Sequence, residues 1–232
     1  MKRKGNNIGW CDKTANPVTG CPNGCEYCYA RKVNDRWKWV PDFSKPQFFP
    51  NRLKEFRTKE PMIIFIDSMS DIGYWQPEWI DRTCAAMCEN PQNTYLALTK
   101  RYLMLSKLRL VCDAQYVYGV PDPVRFYIGA TITNNAQAQA VIDAGGADFI
   151  SFEPLLEQIK PELLTQLQCK WWIVGDLTKN GKPQCAANYM WVYGLIACAR
   201  HFGTPLFMKD SMRGLVGNVF IQEFPQGWKE KR

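Results

Sequence analysis

The stretch FYIGATITNNAQAQAVIDAGGADFISF, residues 126–152, contains the pattern that sets the fold class of this chain. A β-rich apolar run at Phe126–Ala130 is followed by an Ala- and Gln-rich segment, Asn134–Ala144, which ends at a double glycine as a helix would. A second apolar run follows at Phe149–Phe152. Strand, helix and strand in this order predict two parallel strands joined by a crossover helix.

The same alternation extends in both directions along the chain. Further strands are predicted at Ile8–Cys11, Met62–Ile66, Thr94–Leu98, Trp171–Val174 and Pro205–Met208. Helical spacing marks Pro77–Cys88, a leucine stripe from Leu155 to Leu167, and Tyr189–Ala197. We therefore predict one α/β domain over residues 1–232, a partial or full (β/α) barrel of about six to seven parallel strands. An open doubly wound sheet is the alternative.

The segment Asp35–Pro61 interrupts this rhythm, and we predict that it is a long loop insertion over one end of the barrel. It is rich in basic and aromatic residues, and so is the sequence just before it. One interpretation is that the aromatic side chains anchor the loop while the cations face water. The other is that cations beside aromatic rings hold a nucleotide or single-stranded nucleic acid.

The composition limits the class of protein. Of the 232 residues 46% are hydrophobic, which is enough for a well-filled core, and the net charge of +7 allows an anionic partner. The longest apolar runs are far shorter than a membrane span, and no apolar stretch follows the basic N-terminus as in a signal peptide. We predict a cytoplasmic protein without membrane association. Because disulfides are rare in that compartment, clustered cysteines there indicate metal or redox chemistry.

Three of the ten cysteines lie together in GCPNGCEYCYAR, residues 20–31. Cys21, Cys25 and Cys28 are separated by three and then two residues, a loop spacing that suits thiolate ligands of an iron–sulfur cluster or of zinc. Three thiolates leave one iron of a 4Fe–4S cluster open to a substrate or cofactor. Zinc, completed by Cys11 or by a more distant cysteine, is the alternative.

With its neighbours this motif resembles a known family. The blocks that carry the resemblance occur in this order: NPVTGCPNGCEYCYARK, FFPNRL, IFIDSMSD, LTK, ISFEPLLE, WWIVGDLTKNG, PLFMKD and FIQEFP. They are similar to blocks of the phage-associated three-Cys-motif family of proteins that resemble radical S-adenosylmethionine (radical SAM) enzymes. The resemblance extends over nearly the whole chain. For a phage-encoded member, the predicted location becomes the host cytoplasm.

The resemblance implies a barrel of the radical SAM type and a specific cofactor chemistry. Cys21, Cys25 and Cys28 would bind a 4Fe–4S cluster, with Tyr27 beside the cofactor. S-adenosylmethionine would occupy the open iron. An external one-electron reductant, of the flavodoxin or ferredoxin type, would drive its cleavage to a 5′-deoxyadenosyl radical, which abstracts hydrogen from an unidentified substrate, a nucleotide or nucleic acid being one candidate. The alternative is a zinc- or cluster-binding protein without catalysis, acting as a binding or partner module.

Polar residues follow several predicted strands, where the loops of a parallel barrel meet. Radical SAM enzymes commonly have Gly-Gly-Glu after the second strand, and this chain has Asp67-Ser68-Met69-Ser70-Asp71 instead. We predict that Ser68 and Asp71 receive the amino group of the cofactor, since both can accept hydrogen bonds. For Asp71 the alternative is a helix cap.

Four further residues at strand ends are predicted site residues. Thr131 would meet ribose hydroxyls, and Gly175 would let the backbone approach adenine closely. Glu153 and Lys209 are the predicted catalytic residues: Glu153 would bind ribose or accept a proton, and Lys209 would neutralise an anionic substrate group. The alternatives are a structural ion pair of Glu153 with Lys100 or Lys209, and a solvated Lys209.

Overall fold

A parallel sheet dominates the part of the chain that the computed structural model describes, residues 8–113, 124–179, 182–184 and 186–228. In chain order the strands are β1 (Lys13–Thr14), β2 (Val18–Thr19), β3 (Gln47–Phe48), β4 (Ile63–Phe65), β5 (Thr94–Thr99), β6 (Arg125–Thr131), β7 (Phe149–Phe152), β8 (Trp172–Val174), β9 (Thr178–Lys179), β10 (Lys182–Pro183) and β11 (Leu206–Met208). Seven of them form one sheet in the order β1-β4-β5-β6-β7-β8-β11. The pairs β1–β4, β4–β5, β6–β7, β7–β8 and β8–β11 are parallel.

Strand order across this sheet follows chain order without a reversal. A doubly wound sheet reverses direction at a switch point, whereas successive strands of a (β/α) barrel lie side by side. The predicted α/β fold of the partial-barrel type is therefore confirmed, with β1 and β11 as the edge strands of the sheet. The shorter strands pair separately, β2 with β3 and β9 with β10, both antiparallel.

Helices connect the strands as the alternation predicts. They are α1 (Tyr29–Trp37), α2 (Pro77–Cys88), α3 (Leu105–Asp113), α4 (Asn135–Asp143), α5 (Pro161–Leu164), α6 (Tyr189–Phe202) and α7 (Arg213–Val216). Short 3-10 helices occur at Pro50–Phe56, Ile72–Tyr74, Tyr102–Met104, Asp210–Met212 and Gly217–Val219. None of the helices in these described residues is long and apolar enough to cross a bilayer.

The β6-α4-β7 unit forms for local reasons. The Asn134 side chain accepts the backbone N–H of Gln137 at 2.9 Å and so caps α4. In the register of β6 and β7, Gly129 lies opposite Phe149. A Cβ atom at Gly129 would come within 2.6 Å of the Phe149 ring, so glycine is what lets this buried ring lie over the neighbouring strand.

The first strand lies further along the chain than the sequence predicts. Residues 8–11 form bends, with Gly9 at a φ of 82°, and the edge strand is Lys13–Thr14. The apolar character of the predicted strand is explained by Trp10, which is 2% exposed and contacts Phe149 and Trp171 edge-on or tilted. Its side chain is buried by aromatic packing and not by strand pairing.

The leucine stripe from Leu155 to Leu167 also differs from the prediction, since only Pro161–Leu164 is helical. Leu155 and Ile159 are buried from an irregular segment before it. Proline disfavours helical backbone at the preceding residue, and Lys160 is accordingly extended, with a ψ of 137°. A helix therefore begins at Pro161 and cannot include the first leucines.

The chain forms two compact units. The first comprises the described residues of Cys11–Ile128, and the second comprises Ile8–Trp10 with those of Gly129–Arg232. In the first unit, α1 extends into the predicted insertion at residues 35–61, which continues with β3 and the 3-10 helix Pro50–Phe56.

Candidate functional site

The three-cysteine loop connects β2 to α1 in the first unit, and its entry is held by backbone contacts. The Gly20 N–H donates to the Met69 carbonyl at 3.0 Å, and the Cys21 N–H donates to the Phe43 carbonyl at 2.6 Å. Gly20 has a φ of 113°, and a Cβ atom there would lie 2.8 Å from Pro46 Cα. Only glycine satisfies both conditions, so this residue fixes where the loop begins.

Two of the three sulfur atoms are positioned by backbone N–H groups. Cys28 is the N-cap of α1, and its Sγ accepts the Arg31 N–H at 3.4 Å. Cys21 Sγ accepts the Asn23 N–H at 3.5 Å, and the Cys28 N–H donates to the Cys25 carbonyl at 3.1 Å. Cys28 Sγ is therefore held at the N-terminus of α1 by a backbone donor.

Burial and nearby charges both act on the Cys21 thiol. Burial is the main cause that raises the pKa of Cys21 to about 12, and the charges of Asp71, Cys28 and Cys25 raise it further. Cys21 and Cys28 also pack against one small apolar cluster that includes Phe43. Three thiols on one loop within electrostatic reach are suitable ligands for an iron–sulfur cluster or zinc by chemical type. Across the described ranges, no three His, Cys, Asp or Glu side chains are gathered as they would be around a metal ion.

Asp71, a predicted cofactor-binding residue, is used by the protein itself. It is 6% exposed and caps the 3-10 helix Ile72–Tyr74. One carboxylate oxygen accepts the Gly73 N–H at 2.9 Å and the Thr99 hydroxyl at 2.6 Å, and the other accepts the Lys100 N–H at 2.9 Å. The capping role considered for Asp71 is therefore present, and the carboxylate ties the loop after β4 to the end of β5.

Asp67 is a buried carboxyl that the sequence reasoning did not select. Its oxygens accept the Ile72 N–H and the Leu98 N–H, each at 3.1 Å. Burial, followed by the nearby Asp71 charge, raises the pKa of Asp67 well above its ordinary value. The sequence signal for Asp67 was its position directly after the apolar run of β4, because a carboxyl that is buried there needs hydrogen-bond partners.

Tyr27 lies within the cysteine loop and Ser68 lies in the loop after β4, and both have partners of their own. The Ser68 hydroxyl donates to Asn16 Oδ1 at 2.9 Å, and the Ser68 carbonyl accepts the Tyr29 hydroxyl at 2.6 Å. The Tyr27 ring centroid lies 5.8 Å from Lys100 Nζ. Asn16 also accepts the Met69 N–H at 2.9 Å, and so it fixes the loop after β4 that contains Ser68 and Met69. Its sequence position does not indicate this role.

In the second unit, Glu153 and Lys209 form an ion pair, one of the structural alternatives that the sequence raised. Their side chains are 25% and 18% exposed, respectively. Each follows its strand directly, Glu153 after β7 and Lys209 after β11. Gly175 follows β8, the strand between them.

The register of the sheet explains why this pair meets across a glycine. Phe152 pairs with Val174, and Val174 pairs with Met208, so the next residues of the three strands form a lateral row. Alternate strands are roughly 10 Å apart, so the two outer side chains meet only over the middle backbone. A Cβ atom at Gly175 would lie 2.9 Å from Glu153 Cγ and Cδ and 3.0 Å from Lys209 Cδ.

We therefore expect Gly175→Ala to uncouple Glu153 from Lys209. A double-mutant cycle with Glu153→Gln and Lys209→Met, measured by urea unfolding, should give a coupling of about 1 kcal/mol in the wild-type background. In the Gly175→Ala background the coupling should fall towards zero, because the new methyl group occupies the space where the side chains meet. Gly194→Ala, in α6 with open space around it, is the control. An undiminished coupling in Gly175→Ala would contradict this explanation.

Thr131, the remaining predicted site residue, is the last residue of β6. It is 5% exposed and pairs in register with Ser151 of β7. The structure thus places the predicted residues in two groups, with Cys21, Cys25, Cys28, Tyr27, Ser68 and Asp71 around the cysteine loop of the first unit, and Glu153, Gly175 and Lys209 in a row within the second. Thr131 lies in the second unit.

These features define a class of protein, a parallel α/β fold with a three-cysteine loop between its first strands and first helix. The chain belongs to the family described as a protein of unknown function (DUF5131), whose model matches residues 5–215. No curated protein and no solved structure matches it. The family description carries no activity, and the resemblance to radical SAM proteins stays a prediction.

Proposed function

We propose that this protein is a radical SAM enzyme. The observation that carries the proposal is the loop between β2 and α1 that bears three cysteines, with Cys28 as the N-cap of α1 and with Cys21 and Cys28 packed against the same apolar cluster. Its support comes from the ligand type and from the number of thiols, which leaves one iron of a 4Fe–4S cluster without a protein ligand. The proposal also rests on the sequence resemblance described above.

In this proposal the residues of the loop have separate tasks. Cys21, Cys25 and Cys28 hold a 4Fe–4S cluster, which when bound supplies electron transfer to S-adenosylmethionine and so starts radical chemistry on a substrate. The Arg31 and Asn23 N–H groups stabilise negative charge on the sulfur atoms. An external reductant of the flavodoxin or ferredoxin type provides the electron.

The residues around the loop position it. Asp71, through Thr99 and the Lys100 N–H, keeps the segment after β4 in place beside Cys21. Ser68 is the residue proposed for the amino group of the cofactor, since its hydroxyl oxygen can accept a hydrogen bond while its proton goes to Asn16. Glu153 and Lys209 are proposed to act on the substrate, which requires that their ion pair opens.

We expect the wild-type protein, after anaerobic reconstitution, to contain about four iron and four sulfide per chain. Under a reductant it should convert S-adenosylmethionine to 5′-deoxyadenosine. Replacing Cys21, Cys25 or Cys28 singly by alanine should lower both iron content and product to less than about a tenth, since each removal leaves an iron without its thiolate. Iron and sulfide assays and product chromatography measure these outcomes.

The matched control is Cys198→Ala, a partly exposed cysteine on α6 in the second unit. It should retain the iron, the sulfide and the product of the wild-type protein. Equal iron content in all four variants would refute the assignment of the ligands. A cluster without 5′-deoxyadenosine would refute the enzymatic part of the proposal and leave the metal site intact.

The second candidate function is a zinc- or cluster-bearing binding protein without catalysis. It is favoured by Asp71, since this carboxylate stands near the place of the usual Gly-Gly-Glu and is already engaged by three protein donors. Zinc without sulfide in the purified protein would support this second function.

A further inference from the structure

The positive charge of the chain is concentrated in one segment of the first unit. Residues 31–59 contain nine Lys and Arg and three Asp and Glu, a net charge of +6 out of +7 for the whole chain. Seven of the nine basic residues are exposed: Lys32, Arg36, Lys38, Lys45, Lys54, Arg57 and Lys59. Such a concentration attracts a polyanion, because the remainder of the chain is nearly neutral.

Within this segment a rigid turn presents two tryptophans to solvent. We call residues 36–40 the tryptophan turn. The Asn34 side chain, 2% exposed, donates to the Val40 carbonyl and accepts the Val40 N–H, both at 3.0 Å. Lys38 ends α1 in the left-handed conformation, and its N–H donates to the Asn34 carbonyl. The buried side-chain amide of Asn34 therefore fixes the backbone of the turn.

The two indole rings of the turn are large apolar groups left in water. Trp37 is 60% exposed and Trp39 is 44% exposed. Each has a guanidinium group near its ring, Arg36 at 5.1 Å from the Trp37 centroid and Arg52 at 6.0 Å from the Trp39 centroid. Arg52 is itself fixed, since its Nη1 donates to Thr19 Oγ1 at 2.7 Å and its guanidinium lies 4.0 Å from the Phe49 centroid.

We propose that the tryptophan turn, with Arg52, is a binding surface for single-stranded nucleic acid. Exposed aromatic rings offer stacking platforms to unpaired bases, and the adjacent cations meet the phosphates. A purely acidic partner would use the charges but would leave the two indoles in water. Because the buried Asn34 preorganises the turn, little conformational entropy is lost when bases stack on it.

This proposal goes beyond the radical SAM function and does not depend on a bound cluster. Binding is measured by fluorescence anisotropy with a fluorescein-labelled oligothymidylate and the full-length protein at several salt concentrations. The variant Trp37→Ala/Trp39→Ala should bind about 10- to 100-fold more weakly, through loss of base stacking. Trp37→Phe/Trp39→Phe should recover most of the affinity.

The charges of the turn are tested separately. Arg36→Gln/Lys38→Gln should reduce the slope of log affinity against log salt by about 1.4, since each phosphate contact to a single strand contributes about 0.7. The aromatic control is Tyr189→Ala/Tyr193→Ala, which removes a stacked, exposed pair on α6 and should leave binding unchanged. Thermal unfolding of each variant verifies that the surface changes leave the fold intact.

Several outcomes would overturn the proposal. One is oligothymidylate binding that is absent, or that Trp37→Ala/Trp39→Ala leaves unaltered. A second is that Trp37→Ala/Trp39→Ala weakens the binding of heparin, a polyanion without bases, as much as the binding of the oligonucleotide. A third is a DNA duplex that binds as tightly with the same dependence on the tryptophans. Loss of cluster binding in the cysteine variants with oligonucleotide binding intact would separate this surface from the proposed function.

Discussion

Replacing Gly20 by alanine is expected to lower the free energy of unfolding by about 3 kcal/mol. At a φ of 113° a side chain is strained, which by itself costs on the order of 1–3 kcal/mol. The added methyl group would also meet backbone atoms, Pro46 Cα at 2.8 Å and the Phe43 carbonyl oxygen at 3.0 Å, which cannot move aside as a side-chain end can. Urea unfolding of the metal-free protein measures the change.

Gly24→Ala, within the same cysteine loop, is the matched control. Gly24 also has a positive φ, 70°, but its nearest neighbour to an added Cβ atom is the Pro22 carbonyl oxygen at 3.9 Å. Gly24→Ala should therefore lower the free energy of unfolding only by the conformational cost of a positive φ, about 1 kcal/mol. If Gly20→Ala were no less stable than Gly24→Ala, the close approach of the loop entry to residues 43–46 would be disproved.

Replacing Asp71 by alanine is expected to destabilise the protein by about 3 kcal/mol or more, in the absence of any cofactor. The substitution leaves the Gly73 N–H, the Lys100 N–H and the Thr99 hydroxyl without their acceptor in a site that is nearly closed to water. Asp71→Asn should lose less, because its amide oxygen can still accept from Gly73 and Thr99. Urea unfolding without added metal or S-adenosylmethionine separates this structural role from a role in binding.

The control for Asp71 is Asp210→Ala, which removes a carboxylate that is 65% exposed and pairs with Arg213 on the surface. Its effect should stay within about 0.5 kcal/mol. An Asp71→Ala variant as stable as Asp210→Ala would show that the buried hydrogen bonds contribute little. The cofactor-binding interpretation of Asp71 would then regain weight.

Much of the fold was predictable because hydrophobic periodicity and helix stop signals act locally. The β6-α4-β7 unit, and the strands Ile63–Phe65, Thr94–Thr99 and Leu206–Met208, lie close to where the sequence predicts them. The differences have physical causes outside that periodicity. Trp10 belongs to an apolar run because it packs on Trp171, and not because that run forms a strand. The helix that the leucine stripe predicts begins only at Pro161, since proline disfavours helical backbone at the residue before it.

The candidate site was predictable only where its residues are close in sequence. The spacing of Cys21, Cys25 and Cys28 marks a ligand loop without knowledge of the fold. Asp67 and Asn16 act through partners on other elements, and no local pattern identifies such partners. The two tryptophans of the turn are evident in the sequence, but their exposure in the fold depends on the Asn34–Val40 hydrogen bonds.

Three features can be read from the amino-acid sequence without the fold: the α/β class, the succession of strands and helices, and the position of the three thiols on one loop. These follow from periodicity and spacing, which act over a few residues. The pairing of Glu153 with Lys209 over Gly175, and the hydrogen bonds of Asp71 to the end of β5, become evident only from the folded chain. Both depend on the register of strands that are far apart in the chain, because the register determines which side chains lie next to one another.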